Sequence, residues 1–249
     1  MIPKSHPRYE SLILRERLVK GMRDGIVALE GLIAHGRGET FDYLIGERTM
    51  PYALEAERTA VATLLLASRP IISVNGNTAV LVASEISKLS EILSAPIEVN
   101  LFHRTEERLQ KIVEHLKKHG AKKVLGMKGD ARIPGLEHER GKCDREGIFS
   151  SDVVLVPLED GDRCEALIKM GKEVIAIDLN PFSRTARTAT ITIVDNVVRA
   201  IPNMVKMAEE MKELKKEELK EIKNNYDNKE ILKRCIEEII NHLQGEMEK

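Results

Sequence analysis

Two β-branched runs in the second half of the chain each end in an acid beside an amide. Val174–Ile177 leads into Asp178-Leu179-Asn180, and Ile191–Val194 leads into Asp195-Asn196. In open α/β sheets ligands bind outside the carboxyl ends of the strands, where an acidic residue can take ribose hydroxyls. Ser183, Arg184 and Arg187 lie between the two runs, and guanidinium groups suit polyphosphate. Asp and Asn are also ordinary turn formers, so the same residues read as strand ends without a ligand. A second phosphate contact is Arg37, bracketed by Gly36 and Gly38, where bare glycines would let the backbone pass close to a ligand. The alternative there is a glycine-rich connector between helices, with Asp42 and Tyr43 either lining the pocket or packing and capping.

Three further stretches carry chemistry. Pro70–Val74 reads as a buried strand that breaks at Asn75-Gly76-Asn77 before a helix, a junction whose helix-terminal N–H groups are free for an anion. It is not a GxGxxG fingerprint, and Asn-Gly equally makes a tight turn. The segment 128–150 reads as one long loop. Within Arg132–Lys142 it holds Glu137, His138, Glu139 and Arg140, enough for anion binding and acid/base work or for a solvated charge run. After Asp152–Leu158 come Glu159, Asp160 and Asp162, which either hold Mg²⁺ or cap the helix that follows.

These residues need a scaffold, and the apolar pattern supplies one. Six strand-like runs alternate with helices, which argues for a mostly parallel sheet flanked by helices, an α/β fold. An opening helix is expected from Pro7 to about Val27, and another from Pro51 to about Ser68. Beyond Asn196 an amphipathic helix, a Lys/Glu-rich helix and a last amphipathic helix are expected. The helical elements at about 1–68 and about 197–249 are not needed to cover the sheet. They stand as candidates for a dimer interface and a mobile cover on a single domain spanning 1–249.

Composition narrows the function classes. The 249 residues carry 39 Lys+Arg against 40 Asp+Glu, so no bulk charge draws the chain to nucleic acid or anionic membranes. Aromatics make up only 3% of the chain, too few for base-stacking platforms. No run approaches the ~18 apolar residues of a membrane span, and the N-terminus has no signal core. Three scattered cysteines without CxxC spacing read as reduced thiols, and a cytoplasmic location is expected.

Seven ordered segments, IPKSHPRY, GLIAHGRGE-x-FDYLIGE, VNGN, NLFHRTEER, RIPGLEHERGK, VLVPLEDGDR and DLNPFSRTAR…ITIVDN, resemble the archaeal phosphopantothenate synthetase family, also called 4-phosphopantoate–β-alanine ligase. The resemblance implies a Rossmann-like homodimeric ligase of coenzyme A synthesis, dependent on ATP and Mg²⁺. Its expected chemistry joins 4-phosphopantoate to β-alanine through an acyl-adenylate, releasing AMP and diphosphate. The positions matching the family's ATP contacts are Arg15, Arg37, Asp178, Leu179, Asn180, Ser183, Arg184, Asp195 and Asn196. Because the substrate carries its own phosphate, a second anion site is expected at Asn75, Gly76 and Asn77 with Arg104, Arg140 or Lys142. His138, Glu139 and Lys142 form the candidate catalytic set, with His138 or Glu139 to accept the amine's proton. A kinase-like nucleotide enzyme and a nucleotide-binding regulatory module without chemistry are the competing readings.

Overall fold

A computed structural model describes residues 2–248. Three helices precede the first strand: α1 (Tyr9–Arg23), α2 (Leu29–Ile45) and α3 (Pro51–Leu66). The opening helix is shorter than its apolar spacing predicts, because Gly25 adopts φ 79° just beyond Asp24 and turns the chain. Pro51 occupies the first turn of α3, and Ala53, Ala56, Ala60 and Ala62 are fully buried along it. These small side chains let α3 pack closely in the helical layer.

The alternation then runs β1 (Pro70–Val74), α4 (Gly76–Ile92), β2 (Ile97–Val99), α5 (Glu106–Lys118) and β3 (Val124–Leu125). Beyond a short antiparallel pair, β4 (Ala131–Arg132) and β5 (Lys142–Cys143), it resumes with β6 (Val153–Pro157), α6 (Gly161–Lys169) and β7 (Glu173–Ile177). It then closes with α7 (Arg184–Thr188), β8 (Ile191–Ile193), α8 (Val197–Met211), α9 (Lys216–Asn224) and α10 (Asn228–Met247). The six expected strands form one all-parallel sheet in the order β3-β2-β1-β6-β7-β8. The order reverses between β1 and β6, which opens a crevice at their carboxyl ends.

Side-chain alternation divides the sheet between two cores. Ile72, Val74, Leu155, Ile175 and Ile177 face the large cluster shared with α3, α4, α5 and α8. Ile71, Val154, Val156, Val174 and Ala176 face a smaller one shared with α6 and the 128–150 segment. Near-continuous β-branched runs are what a parallel sheet covered on both faces requires.

Two expectations are corrected. The last two helices are not a spare cover: α9 packs on α3, and α10 on α2, α3 and β8. Their junction also caps the exposed edge of β8, where the Thr192 N–H donates to Asn228 Oδ1 at 2.8 Å and Tyr226 Oη at 3.1 Å. Nor is 128–150 a free loop, since buried side chains tie it to the sheet. Glu98 on β2 accepts the N–H groups of Asp144 (3.0 Å) and Ile148 (2.6 Å). Asp144 accepts those of Gly126 (2.8 Å) and Gly129 (2.7 Å), and Asn100 donates to the carbonyls of Arg140 and Lys142. No helix among the described residues is long and apolar enough to cross a membrane.

Glu98 is fully buried, and burial pushes its carboxyl up to about 7 against the pull of its two N–H donors. The native state therefore binds this proton more tightly than the unfolded chain. The stability it confers is complete below the unfolded carboxyl range and is lost as pH rises through about 7. Thermal melting between about pH 5 and pH 8 should show the wild type losing on the order of 2–3 kcal/mol more than Glu98→Gln. Parallel profiles for the two proteins would remove Glu98 as the titrating group.

Candidate functional site

A cavity of about 370 Å³ lies at the sheet's reversal point, over the carboxyl ends of β1 and β6 and extending toward those of β7 and β8. One wall is the first turn of α4. Asn75 caps this helix by accepting the Thr78 N–H at 3.0 Å, and its amide donates to the carbonyls of Pro157 (3.1 Å) and Leu158 (3.3 Å). Leu158 lines the cavity with φ 58°, a left-handed conformation that costs a branched residue ~1–2 kcal/mol. The Asn75 bonds thus hold a strained turn at the cavity floor. Position 76 admits only glycine, because a Cβ there would strike the Ile26 carbonyl. Asn77 donates to the Gly31 carbonyl at 2.8 Å and so ties α4 to α2.

The opposite wall is α2, which corrects the reading of residues 36–38. Gly36, Arg37 and Gly38 form neither a ligand-cradling loop nor a connector but lie inside this helix. Each glycine weakens an isolated helix by ~1 kcal/mol, and tertiary bonds override that preference here. A Cβ at Gly31 would strike Asn77, so this glycine permits the close approach of α2 and α4, whereas one at Gly38 would make an ordinary contact with Leu179 at 3.6 Å.

The far end of α2 is fixed by charge. Asp42, which packs rather than lining the pocket, receives Arg199 Nη2 at 2.6 Å and Asn196 Nδ2 at 2.8 Å. Arg199 also reaches Asp195 at 2.8 Å through Nε, and Thr49 donates to the same carboxylate at 2.6 Å. Asp195 and Asn196 line the cavity while serving this network. Burial pushes the Asp195 carboxyl up, and Arg199 opposes the shift. Behind it Glu57 is fully buried, and burial together with the Asp195 charge pushes its carboxyl up to about 9, so it stands as a neutral acid at pH 7.

A second buried network lies under β6. Arg140 is 6% exposed, lines the cavity, and pairs with Asp160 at 2.5 Å and Glu159 at 3.4 Å. Glu159 in turn pairs with Arg163, which donates to Ser73 Oγ on β1 at 3.1 Å. The acidic run 159–162 is therefore spent on arginines and on His138. Asp160 sits at the N-cap of α6 without a side-chain capping bond, whereas Asp162 Oδ1 accepts the first-turn N–H of Arg163 at 2.9 Å. Among the described residues no group of three or more His, Cys, Asp or Glu is arranged to hold a metal ion.

The other expected residues divide by place. Asp178 accepts the Asn180 N–H at 2.9 Å and the Ser183 hydroxyl, which also caps α7, so 178–183 is a self-bonded turn presenting Leu179 to the cavity. Burial pushes Asp178 up, and the Ser183 and Asn180 bonds and the Arg37 charge oppose the shift; Arg37 itself is exposed and does not line the cavity. Arg184 lies outside the cavity wall, 60% exposed and 3.3 Å from Glu165. Arg15 bonds Glu39 at 2.8 Å in a separate concavity of about 420 Å³ that shares His35 and Glu39 with the main one. Arg104 donates to the Gly126 carbonyl at 2.6 Å, and Lys142 pairs with Glu139 at 2.9 Å; none of the three lines the cavity. His138 stands just behind the wall, stacked on the cavity residue Phe102 at 5.0 Å and 2.9 Å from Asp162.

Several wall residues carry no signal in composition or spacing. Arg108 resembles any surface charge on the amphipathic α5, yet it bonds the Ile26 and His103 carbonyls and faces the cavity. Its place in the first turn of the helix after β2, at the sheet's carboxyl edge, was the available clue. His35 also lines the cavity with Nε2 unpartnered, and burial pulls its pKa down so that the ring is neutral.

Removing Arg199 would leave Asp42 and Asp195 buried and facing each other unpaired. Urea unfolding of Arg199→Met at pH 7 should show a loss of ~3–5 kcal/mol; a loss below about 1 kcal/mol, as for a surface pair, would contradict the account of this network.

A model of the phosphopantothenate/pantothenate synthetase family matches residues 52–242. The chain is 60% identical over 228 residues to a 4-phosphopantoate–β-alanine ligase of Thermococcus kodakarensis, covering 91% of this chain and 87% of that protein. It is 57% identical over 243 residues to one of Methanosarcina mazei (98% and 96%), and 55% identical over 249 residues to one of Thermococcus onnurineus (100% and 94%). On this evidence of shared sequence along nearly its whole length, the chain belongs to the phosphopantothenate/pantothenate synthetase family and is an enzyme of the ligase class.

Proposed function

We propose that this ligase condenses 4-phosphopantoate with β-alanine, using ATP and releasing AMP and diphosphate. The observation that carries the reading is a single cavity on which the N-terminus of the 17-residue α4 meets the buried Arg140 and the half-buried Arg108. A helix N-terminus and two fixed guanidinium groups suit the phosphate of 4-phosphopantoate. In this assignment Arg108 takes the place of Arg104 and Lys142, which do not line the cavity.

ATP is assigned to the other half of the crevice, along Asp178, Leu179, Asn180, Ser183, Asp195 and Asn196. Arg37 approaches from α2, and Arg15 and Arg184 stand at the margins. The substrate carboxylate would attack the α-phosphate to give an acyl-adenylate and diphosphate. The β-alanine amine would then attack the carbonyl and AMP would leave. Such a sequence depends on holding reactants in line and on neutralising charge. A Mg²⁺ ion travelling with the triphosphate would keep most of its ligands from phosphate and water. His138 is favoured over Glu139 as proton acceptor: Asp162 engages one ring nitrogen, the other has no partner, and Glu139 is paired with Lys142.

We also assign a homodimer, with α2 at the interface. Leu29 and Ile33, 63% and 70% exposed, lie one turn apart on its outer face. Ile33→Glu should sediment as a monomer where the wild type sediments as a dimer; unchanged sedimentation would move the interface elsewhere.

With ATP, Mg²⁺, β-alanine and 4-phosphopantoate the protein should form AMP and phosphopantothenate in equal amounts, with little turnover when pantoate replaces 4-phosphopantoate. Release of ADP, or turnover independent of β-alanine, would overturn the reading. Arg37→Ala should raise the KM for ATP by about ten-fold or more with an unchanged melting temperature, since Arg37 is exposed; unaltered ATP kinetics would remove it from the site.

A further inference from the structure

Helix α4 is two helical pieces joined at Val82, whose φ −141° and ψ 33° lie outside the helical region. Val82 is buried, so the break sits inside the packed structure and not at a frayed end. A break of this kind turns the carbonyls of the preceding turn away from the N–H groups of the next and leaves them to other donors. Here a donor comes from another helix. Arg17 on α1 places Nη2 2.8 Å from the Val80 carbonyl and 2.7 Å from that of Leu81. His115 on α5 lines the same side of the break.

The fit between α1 and α4 is close at this point. A Cβ on Gly21, one turn after Arg17, would stand 2.6 Å from Val80 and 3.1 Å from Val27. The break also separates two surfaces. Before it, Asn75, Gly76, Asn77 and Leu81 line the main cavity. Around it, Val80, Ala83 and Ser84 line a second concavity of about 340 Å³ with Arg17 and His115. As a whole, α4 packs on α8, α5 and α1. The first piece aims at the cavity in a direction of its own, and the Arg17 bonds lie where that direction is set.

We propose that Arg17 is a positioning residue for the phosphate end of the active site. By engaging the Val80 and Leu81 carbonyls it fixes the angle of the first piece of α4, and with it the Asn75-Gly76-Asn77 turn. Arg17 touches neither substrate, and its side chain lies on the side of α4 away from the main cavity. The consequence for catalysis rests on assigning 4-phosphopantoate to that turn, as above.

The test uses full-length Arg17→Ala and Arg17→Lys. Arg17 is exposed, so both variants should fold with near-native melting temperatures. The alanine variant should raise the KM for 4-phosphopantoate about ten-fold, equivalent to ~1.4 kcal/mol of lost binding, while kcat and the KM for ATP stay within about two-fold. The lysine variant keeps a cationic donor one bond shorter and should recover part of the loss. An unchanged KM, an equal rise for both substrates, or a lysine variant as impaired as the alanine one would each overturn the proposal. If the wild type forms no phosphopantothenate, the functional reading fails separately. Hydrogen exchange at the amides of 78–84 then decides the role of Arg17: faster exchange in Arg17→Ala supports it, and unchanged exchange overturns it.

Discussion

One guanidinium, Arg199, determines where α2 lies, and α2 determines whether there is a cavity at all. Arg199 is bonded at once to Asp42 near the end of α2 and to Asp195 at the end of β8. Two buried carboxylates sharing one guanidinium are stable only when each meets it in good geometry, so the helix has one favourable seat on the sheet. At the other end of the same helix the Asn77 amide holds the Gly31 carbonyl. Fixed at both ends, α2 closes the carboxyl edge of the sheet from above and leaves a space of substrate size beneath it.

The second network does for charge what the first does for shape. Arg140 sits in the wall with its carboxylate partners Glu159 and Asp160 already in place, and burial of the guanidinium is opposed by those two charges. The cation is thus fixed before any ligand arrives, which spares the reorganisation that free side chains would undergo when charge develops in the reaction. The excursion 128–150 exists to deliver this arginine. Glu98, Asn100 and Asp144 anchor the excursion from below, and its short antiparallel pair turns the chain so that Arg140 returns under the strand ends.

The strands were legible because burial on both faces demands β-branched residues in unbroken runs, as at Val153–Pro157 and Glu173–Ile177. Their carboxyl ends were legible for the same reason, and with them Asn75, Leu179, Asp195 and Asn196 as wall residues. Residues 36–38 misled, because glycine reports a local preference that the bonds at Gly31 and Asp42 override. Arg108 was hidden in a helix whose other charges are solvated, and nothing in its spacing distinguishes it from them. The carboxylates of 159–162 showed the right chemical type without showing their partners: Arg140, Arg163 and His138 come from elsewhere in the chain or from the next turn. The last two helices looked dispensable by charge content, yet their few apolar residues, Leu219, Ile231 and Cys235 among them, complete the core.

Diffraction from crystals grown with 4-phosphopantoate and a non-hydrolysable ATP analogue tests this account most directly. It predicts continuous ligand density beneath α2, with the phosphate of 4-phosphopantoate at the Asn75-Gly76-Asn77 turn within reach of Arg108 and Arg140, and the nucleotide beside Leu179 and Asn196. Ligands seated in the concavity beside Arg17 and His115, with the space under α2 empty and the Asp42–Arg199–Asp195 bridge unchanged, would contradict it.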